Sequence, residues 1–388
     1  MFRFNWIHWL SRKPCELWFG LVSLSLSLAM AMPPLRSLTS YANWTPGYYY
    51  LNYWQFGFVK RGLLGSLVSL TGLNRLVDPP VFTCFVHILG LITLSVLFWT
   101  LAFRCTLKLG FLDQRRKPWL YIVFATSPAL FLHFGFDLGR VDLFGFNITL
   151  LVLLILFERV PFPLRVASML LATATGLLSH ESYLFFWLPL LGLGAFHSFE
   201  TEPRVRRAWA MGGWVFLISL IMIILRIFGP FEQGSAELTA RFSAIHPSLK
   251  DAMQLELTSE LKYNMQITWT TLKSYNWLGN SIAVGAYAAI VVLGYCEIVK
   301  AGNAPVFIMA LVVVGPLLMN LIGVDFIRHL SCSLSAAAVA TLISIYRSNS
   351  LPAIFRFALV WVPSLFIFAG PLGISPLDPL PLIRYISF

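Results

Sequence analysis

The sequence predicts an all-α protein: a polytopic integral membrane helical bundle of about eleven transmembrane helices, with one re-entrant or interfacial segment near residues 60–76. Three observations predict it. Of 388 residues, 58% are hydrophobic and only 12% charged, whereas a water-soluble surface takes roughly a quarter. Uncharged runs of spanning length, judged against a ~30 Å hydrocarbon core, recur along the whole chain. Lys and Arg fall mostly in short loops between those runs, as retention of basic residues on the cytoplasmic side dictates. The recurrence predicts one domain, 1–388, and excludes a disordered chain and a disulfide scaffold.

Taken in order, Leu17 to Leu35 follows Arg3, Arg12 and Lys13 and has the layout of a signal sequence. It lacks a small-residue cleavage site, so it reads as a retained first helix. In 36–80, the stretch SYANWTPGYYYLNYWQFGF is crowded with Tyr and Trp, the residues of a membrane-interface belt. VKRGLLGSLVSLTGL follows, with an apolar run too short to cross. Non-helical backbone at that depth must be buried in protein or line a cavity. Further spans are expected at approximately 81–104, 118–136, 143–158, 164–179, 183–198, 208–228, 277–298, 305–323, 329–346 and 351–373. Several fall short of about 20 residues, which predicts broken helices, strong tilt or local thinning. The long polar stretch 229–276 is expected outside, with an amphipathic helix in HPSLKDAMQLELTSELKYNM lying over the surface.

With the N-terminus placed in the cytoplasm, the inner loops hold fifteen of the 28 basic residues in about half the outer length. This favours the N-in orientation. The net charge of +11 is then topological, with some surplus for anionic lipid headgroups. It does not point to nucleic acid. Five scattered cysteines without a CxxC pair give neither a disulfide framework nor a zinc site. No Walker-type or GxGxxG loop suggests nucleotide use, and no cofactor or metal is expected.

Ionisable residues at membrane depth are costly and are usually kept for a reason. Four groups stand out: Lys60-Arg61; Asp137, Arg140 and Asp142; His180-Glu181; and Asp325, Arg328 and His329. The predicted topology, fixed by other charges, puts all four on the outer side at helix ends. Each has a plain structural reading as well. Lys60-Arg61 could snorkel, Asp137 and Arg140 could form an i,i+3 pair, and Asp142 could cap a helix. His180 could be a satisfied polar residue of the bundle; HExxH is absent. Together, however, three arginines and a lysine suit a phosphate or diphosphate. Glu181, Asp142 or Asp137 could accept a proton from an incoming hydroxyl, with His180 orienting or sharing it. Aromatic residues of 41–58 would offer flat surface to a sugar face or an isoprenoid chain. These parts describe glycosyl transfer from a polyprenyl-diphosphate donor, cationic stabilisation of the leaving group standing in for a metal ion.

In span number, late outer loop and scattered outer arginines, the chain resembles the Wzy-like O-antigen polymerases of bacterial surface-polysaccharide assembly. The resemblance implies a multi-pass inner-membrane enzyme that polymerises undecaprenyl-diphosphate-linked repeat units at the periplasmic face, without nucleotide or metal, beside other polysaccharide-assembly proteins. Carried over, Arg61, Arg140 and Arg328 match diphosphate-binding arginines. The O-antigen ligases carry a key arginine and histidine around the large periplasmic loop, where this chain has Arg241 and His246. The GT-C type glycosyltransferases, which use polyprenyl monophosphate sugars, usually show an acidic pair in the first outer loop. Residues 35–59 contain no Asp or Glu, so Asp137 and Asp142 would have to act from a later loop. Competing readings are a transporter or lipid flippase, which would place charge near the midplane, and a scaffold subunit, which would leave the four groups apart.

Overall fold

The computed structural model describes residues 14–36, 45–127, 129–231, 233–250, 306–319 and 326–351. They are helical throughout, with no strand among them. The longer helices are α1 (Pro14–Arg36), α2 (Leu63–Thr71), α3 (Pro79–Thr106), α4 (Phe111–Ala125), α5 (Val141–Phe157), α6 (Phe162–Ser179), α7 (Leu188–Ser198), α8 (Arg204–Phe228), α9 (Gly234–Ile245), α10 (Val306–Leu318) and α11 (Phe326–Ser348). One- and two-turn pieces at Gly47–Tyr50, Tyr53–Phe56, Phe131–Phe136 and Tyr183–Phe186 link them. Among the described residues, four helices (α3, α6, α8 and Arg328–Ser348 of α11) are long and apolar enough to cross a membrane. Shorter apolar helices, Glu16–Met32, Val141–Phe157 and Leu188–Ser198, accompany them. The expected spans 277–298 and 351–373 lie outside the described residues.

Prolines set several boundaries. Pro79 occupies the first turn of α3 and Pro163 that of α6, where no backbone N–H is missed. Two expected spans are broken. The run 118–136 divides at Thr126–Leu130, between α4 and the Phe131–Phe136 turn. Ser127 precedes a proline, which disfavours the α conformation there. The run 183–198 divides at Trp187, just ahead of Pro189 in the first turn of α7. Of the stretch expected outside, the structure describes 229–231 and 233–250. Its helix α9 lies upstream of the predicted amphipathic segment, followed by a single 3₁₀ turn at Pro247–Leu249; 251–276 are outside the described residues. The segment near 60–76 forms α2, nine residues long, and a 3₁₀ turn at Leu73–Arg75.

Helix α11 runs through the centre, most of it buried, while α8 lies at the periphery with only 17% of its apolar window covered. The reason is composition. Ser331, Ser333, Ala336, Ala338 and Ala340 are small, so neighbouring backbones approach closely. Ser333 and Ser335 then donate to the carbonyls of Val313 and Ala129. Around this axis α1 packs on Phe131–Phe136, α3 and α4; α5 packs on α3, α6 and α7; α10 packs on α7 and α11. An aromatic layer fills the middle. Phe146 stacks on Trp187 at 4.5 Å and Phe134 on Phe146 at 5.4 Å, with Phe98, Trp99 and Phe131 continuing it.

The helix ends sort into two rims. At one, Arg104 meets Glu158 at 2.7 Å, Arg165 meets Glu202 at 2.6 Å, and Lys117 meets Glu16 at 2.6 Å. Arg347 pairs with Glu200 there too. This rim joins the ends of α1, α3, α4, α5, α6, α8 and α11 that the sequence reading assigns to the inner side. The opposite rim carries the candidate site.

Candidate functional site

Arg61 is delivered by an unusual piece of backbone. It sits at φ +67°, the left-handed region that L-residues seldom adopt. The turn that follows starts α2, and α2 is pressed onto the chain at Leu51. A Cβ at Gly65 would stand 2.0 Å from the Leu51 carbonyl oxygen, so only glycine permits that approach. The guanidinium then points at Glu181, 120 residues away. Nε donates to Oε2 at 2.8 Å and Nη2 to Oε1 at 2.6 Å, a two-pronged pair between side chains 11% and 28% exposed. Lys60 acts on the same carboxylate, and its backbone N–H is fixed to the Gly229 carbonyl at 2.9 Å.

His180 and Glu181 occupy the turn beyond α6. Burial alone would raise Glu181, but Arg61 outweighs it and holds the carboxyl well below the usual carboxylate range. His180 Nδ1 accepts from the Ser182 backbone N–H at 3.1 Å and lies 2.6 Å from the Ser182 hydroxyl oxygen. Nδ1 is therefore the unprotonated nitrogen, and the neutral ring carries its proton on Nε2. Burial first, then Arg61 and Arg328, pushes the imidazolium pKa down to about 3 against Glu181 and Asp142. Tyr48 faces the ring at 5.8 Å.

The other two groups meet beside it. Asp142 stands in the first turn of α5, where the helix dipole favours a carboxylate. It does not cap the helix; Arg140 holds the capping position, without a side-chain bond. Asp142 Oδ2 lies 3.3 Å from Arg328 Nε, across 186 residues of sequence, and both side chains are buried. Arg328 also lies over the Phe186 ring at 6.0 Å, and His329 packs on that ring at 5.6 Å. Asp137 Oδ1 is 3.2 Å from Arg140 Nε, and Oδ2 is 3.9 Å from His133 Nε2. The loop between them turns at Gly139, φ +79°, whose N–H donates to His87 and whose carbonyl accepts from Tyr49.

Arg61, Glu181, His180, Asp142 and Arg328 thus form one connected cluster, since His180 lies in the field of the other four. Asp137 and Arg140 join it through Cys332, which feels both together with Asp142 and Arg328. Asp325 lies outside the described residues. Two participants went unmarked in the sequence: Ser182, which fixes the His180 tautomer, and His133. Only the position of Ser182, two residues after a histidine at a helix end, gave a signal. The aromatic stretch also behaves differently from the expected substrate surface. Tyr48, Tyr49 and Tyr50 are buried in protein, and it is Trp54 and Phe58 that are exposed. Arg241 and His246 sit apart from the cluster. Arg241 reaches Glu237 and the Gln55 carbonyl, both at 2.8 Å, and His246 is 3.7 Å from Asp78.

Comparison with protein-family models, with curated proteins and with solved structures finds no match to this chain.

Proposed function

We propose that the chain is a membrane glycosyltransferase or polymerase that acts at the outer, periplasmic face of the inner membrane on polyprenyl-diphosphate-linked sugars in surface-polysaccharide assembly. The observation that carries this reading is the convergence of Arg61, Arg140 and Arg328, from three remote segments, with Asp137, Asp142, His180 and Glu181 at one rim of the bundle. A scaffold has no need to collect costly ions from such distances.

The chemistry divides among the residues. Lys60 and three arginines stand against three carboxylates, so the cluster keeps an excess positive charge with His180 neutral. A diphosphate would take up that excess, exchanging carboxylate for phosphate oxygens on guanidiniums that bind either in the same two-pronged manner. As the glycosidic bond breaks, charge grows on the departing diphosphate, where fixed cations stabilise it. Glu181, held ionised by Arg61, is a weak base and serves to aim that arginine. His180 offers its Nε2 proton as a donor. Asp142 is the base this geometry favours: it is buried, and its Oδ2 accepts no well-aligned hydrogen bond among the described residues. It would accept the proton of the attacking hydroxyl.

A second reading is favoured by one observation. Asp137 and Asp142 form an outer acidic pair inside the same cluster, which suits a GT-C type enzyme using a polyprenyl monophosphate sugar. Purified protein offered diphosphate-linked oligosaccharide and monophosphate-linked monosaccharide in parallel separates the two by which donor is consumed. Arg61→Ala, Arg140→Ala and Arg328→Ala should each abolish glycan elongation while the protein still inserts, and Asp142→Asn should abolish it too. Normal elongation by all three arginine variants ends the transferase reading. Uptake or flipping in vesicles with no covalent product replaces it by transport.

A further inference from the structure

At the same rim, but outside the ion cluster, a cleft of about 420 Å³ opens between the Asn52–Gln55 turn, the segment Ser69–Pro79 and the end of α9. Its construction is specific. Tyr50 runs beneath it and donates to the carbonyl of Asn74 at 3.0 Å, holding the 73–77 segment in place. Asn52 spends its side chain inside its own turn, on Gln55 and on the Tyr50 carbonyl. Arg241 ties α9 to the opposite wall through the Gln55 carbonyl.

Two features of the lining are left over. Asn74 is 8% exposed, lines the cleft, and its Oδ1 has no hydrogen-bond partner among the described residues. That oxygen is sealed inside the wall, so what Asn74 can offer the cleft is its side-chain amide N–H, a donor for a ligand oxygen. Trp54, at 66% exposure, lines the cleft while its N–H is already engaged by Ser69 at 2.9 Å. Its remaining capacity is its flat face. Around these two stand Arg75, Asp78 and His246, the last two 3.7 Å apart, so donors and acceptors are mixed and the charges balance.

We propose that this cleft is a saccharide-binding site. A flat ring face beside mixed donors and acceptors fits a ligand that has C–H faces and a rim of hydroxyls. A phosphate would face Asp78 as well as Arg75, and an apolar chain would leave the polar lining of Asn74, Arg75, Asp78 and His246 unmatched. The inference goes beyond the transfer reaction and does not rest on it, because a carrier of glycans would use such a cleft equally.

The full chain in nanodiscs is applied to an array of defined neutral oligosaccharides, with inorganic phosphate as competitor. Binding to at least one glycan is expected. Trp54→Ala and Asn74→Ala should each weaken it by about three- to tenfold, the range of one ring contact or one hydrogen bond. Glycan binding is read with no lipid-linked donor present and transfer is read from donor consumption, so failure of the cleft and failure of the transferase reading are distinguishable. Trp54 is largely exposed, so its variant keeps the fold even where Asn74→Ala does not, and the parent melting temperature confirms it. No binding to any glycan, parental binding by Trp54→Ala, or displacement by phosphate overturns the proposal; the last makes the cleft an anion site.

Discussion

Removing the Arg61 guanidinium tests the pair that joins the segment ahead of α2 to the end of α6. Breaking one partner of a buried ion pair costs about 3–5 kcal/mol. Here Glu181 keeps 28% exposure and Lys60 still acts on it, so about 2–3 kcal/mol is expected for Arg61→Ala. The backbone offers an internal control. At φ +67° an L-residue carries about 1–2 kcal/mol of left-handed strain, which glycine relieves. Part of that relief is offset by glycine's larger unfolded-state freedom, about 0.4–1 kcal/mol. Arg61→Gly should therefore be less damaging than Arg61→Ala by about 0.5–1 kcal/mol, although both delete the same side chain. Denaturant titration in micelles, followed by circular dichroism, measures both, and a double-mutant cycle with Glu181→Ala should return about 2 kcal/mol of coupling. A coupling within about 0.5 kcal/mol of zero, with glycine no better than alanine, refutes both the pairing and the strain.

Two further outcomes follow from the same interactions. His180 titrates near 3 when folded and near 6.5 when unfolded, so between those values the unfolded chain binds the extra proton. Stability should be full above pH 6.5 and fall on acidification towards pH 3, by at most about 1.4 kcal/mol per pH unit. His180→Asn should flatten that limb, and an unchanged profile would count against the neutral ring. Glu181 adds its own loss only in stronger acid, as pH drops below the ordinary carboxylate value through its depressed folded one. At the other rim, Lys117→Met leaves Glu16 buried without its cation and should cost about 3 kcal/mol. The double change Glu16→Leu with Lys117→Met should recover to within about 1 kcal/mol of the parent, as read from denaturation midpoints.

Much of the bundle was legible because lipid imposes long apolar runs. α3, α5, α6, α8 and α11 fall within a few residues of the expected spans. The two divided spans were legible only in part, since hydropathy does not register a chain break while the apolar run continues through it. Ser127 and Pro189 mark the breaks, but Pro118 sits inside α4 without ending it, so proline alone does not decide. For the site, the cost of burying charge marked Arg61, Arg140, Asp142, His180, Glu181 and Arg328. Which carboxylate meets which arginine was not written locally. Arg61 could have paired with Asp142 as readily as with Glu181, and the choice depends on the turn at Gly62 and the close approach of α2 to Leu51. Tyr48–Tyr50 misled because an interfacial belt and a buried packing layer have the same composition.

The aromatic layer of Phe134, Phe146 and Trp187 lies directly inward of the acids, Phe146 being one helical turn from Asp142. Large rings stacked across a bundle leave little room for a file of water. In a bundle that spans a membrane, a proton taken up by His180 would then exchange with one compartment alone. Acidity applied on the side this rim faces would then reach it, and acidity applied on the other side would not.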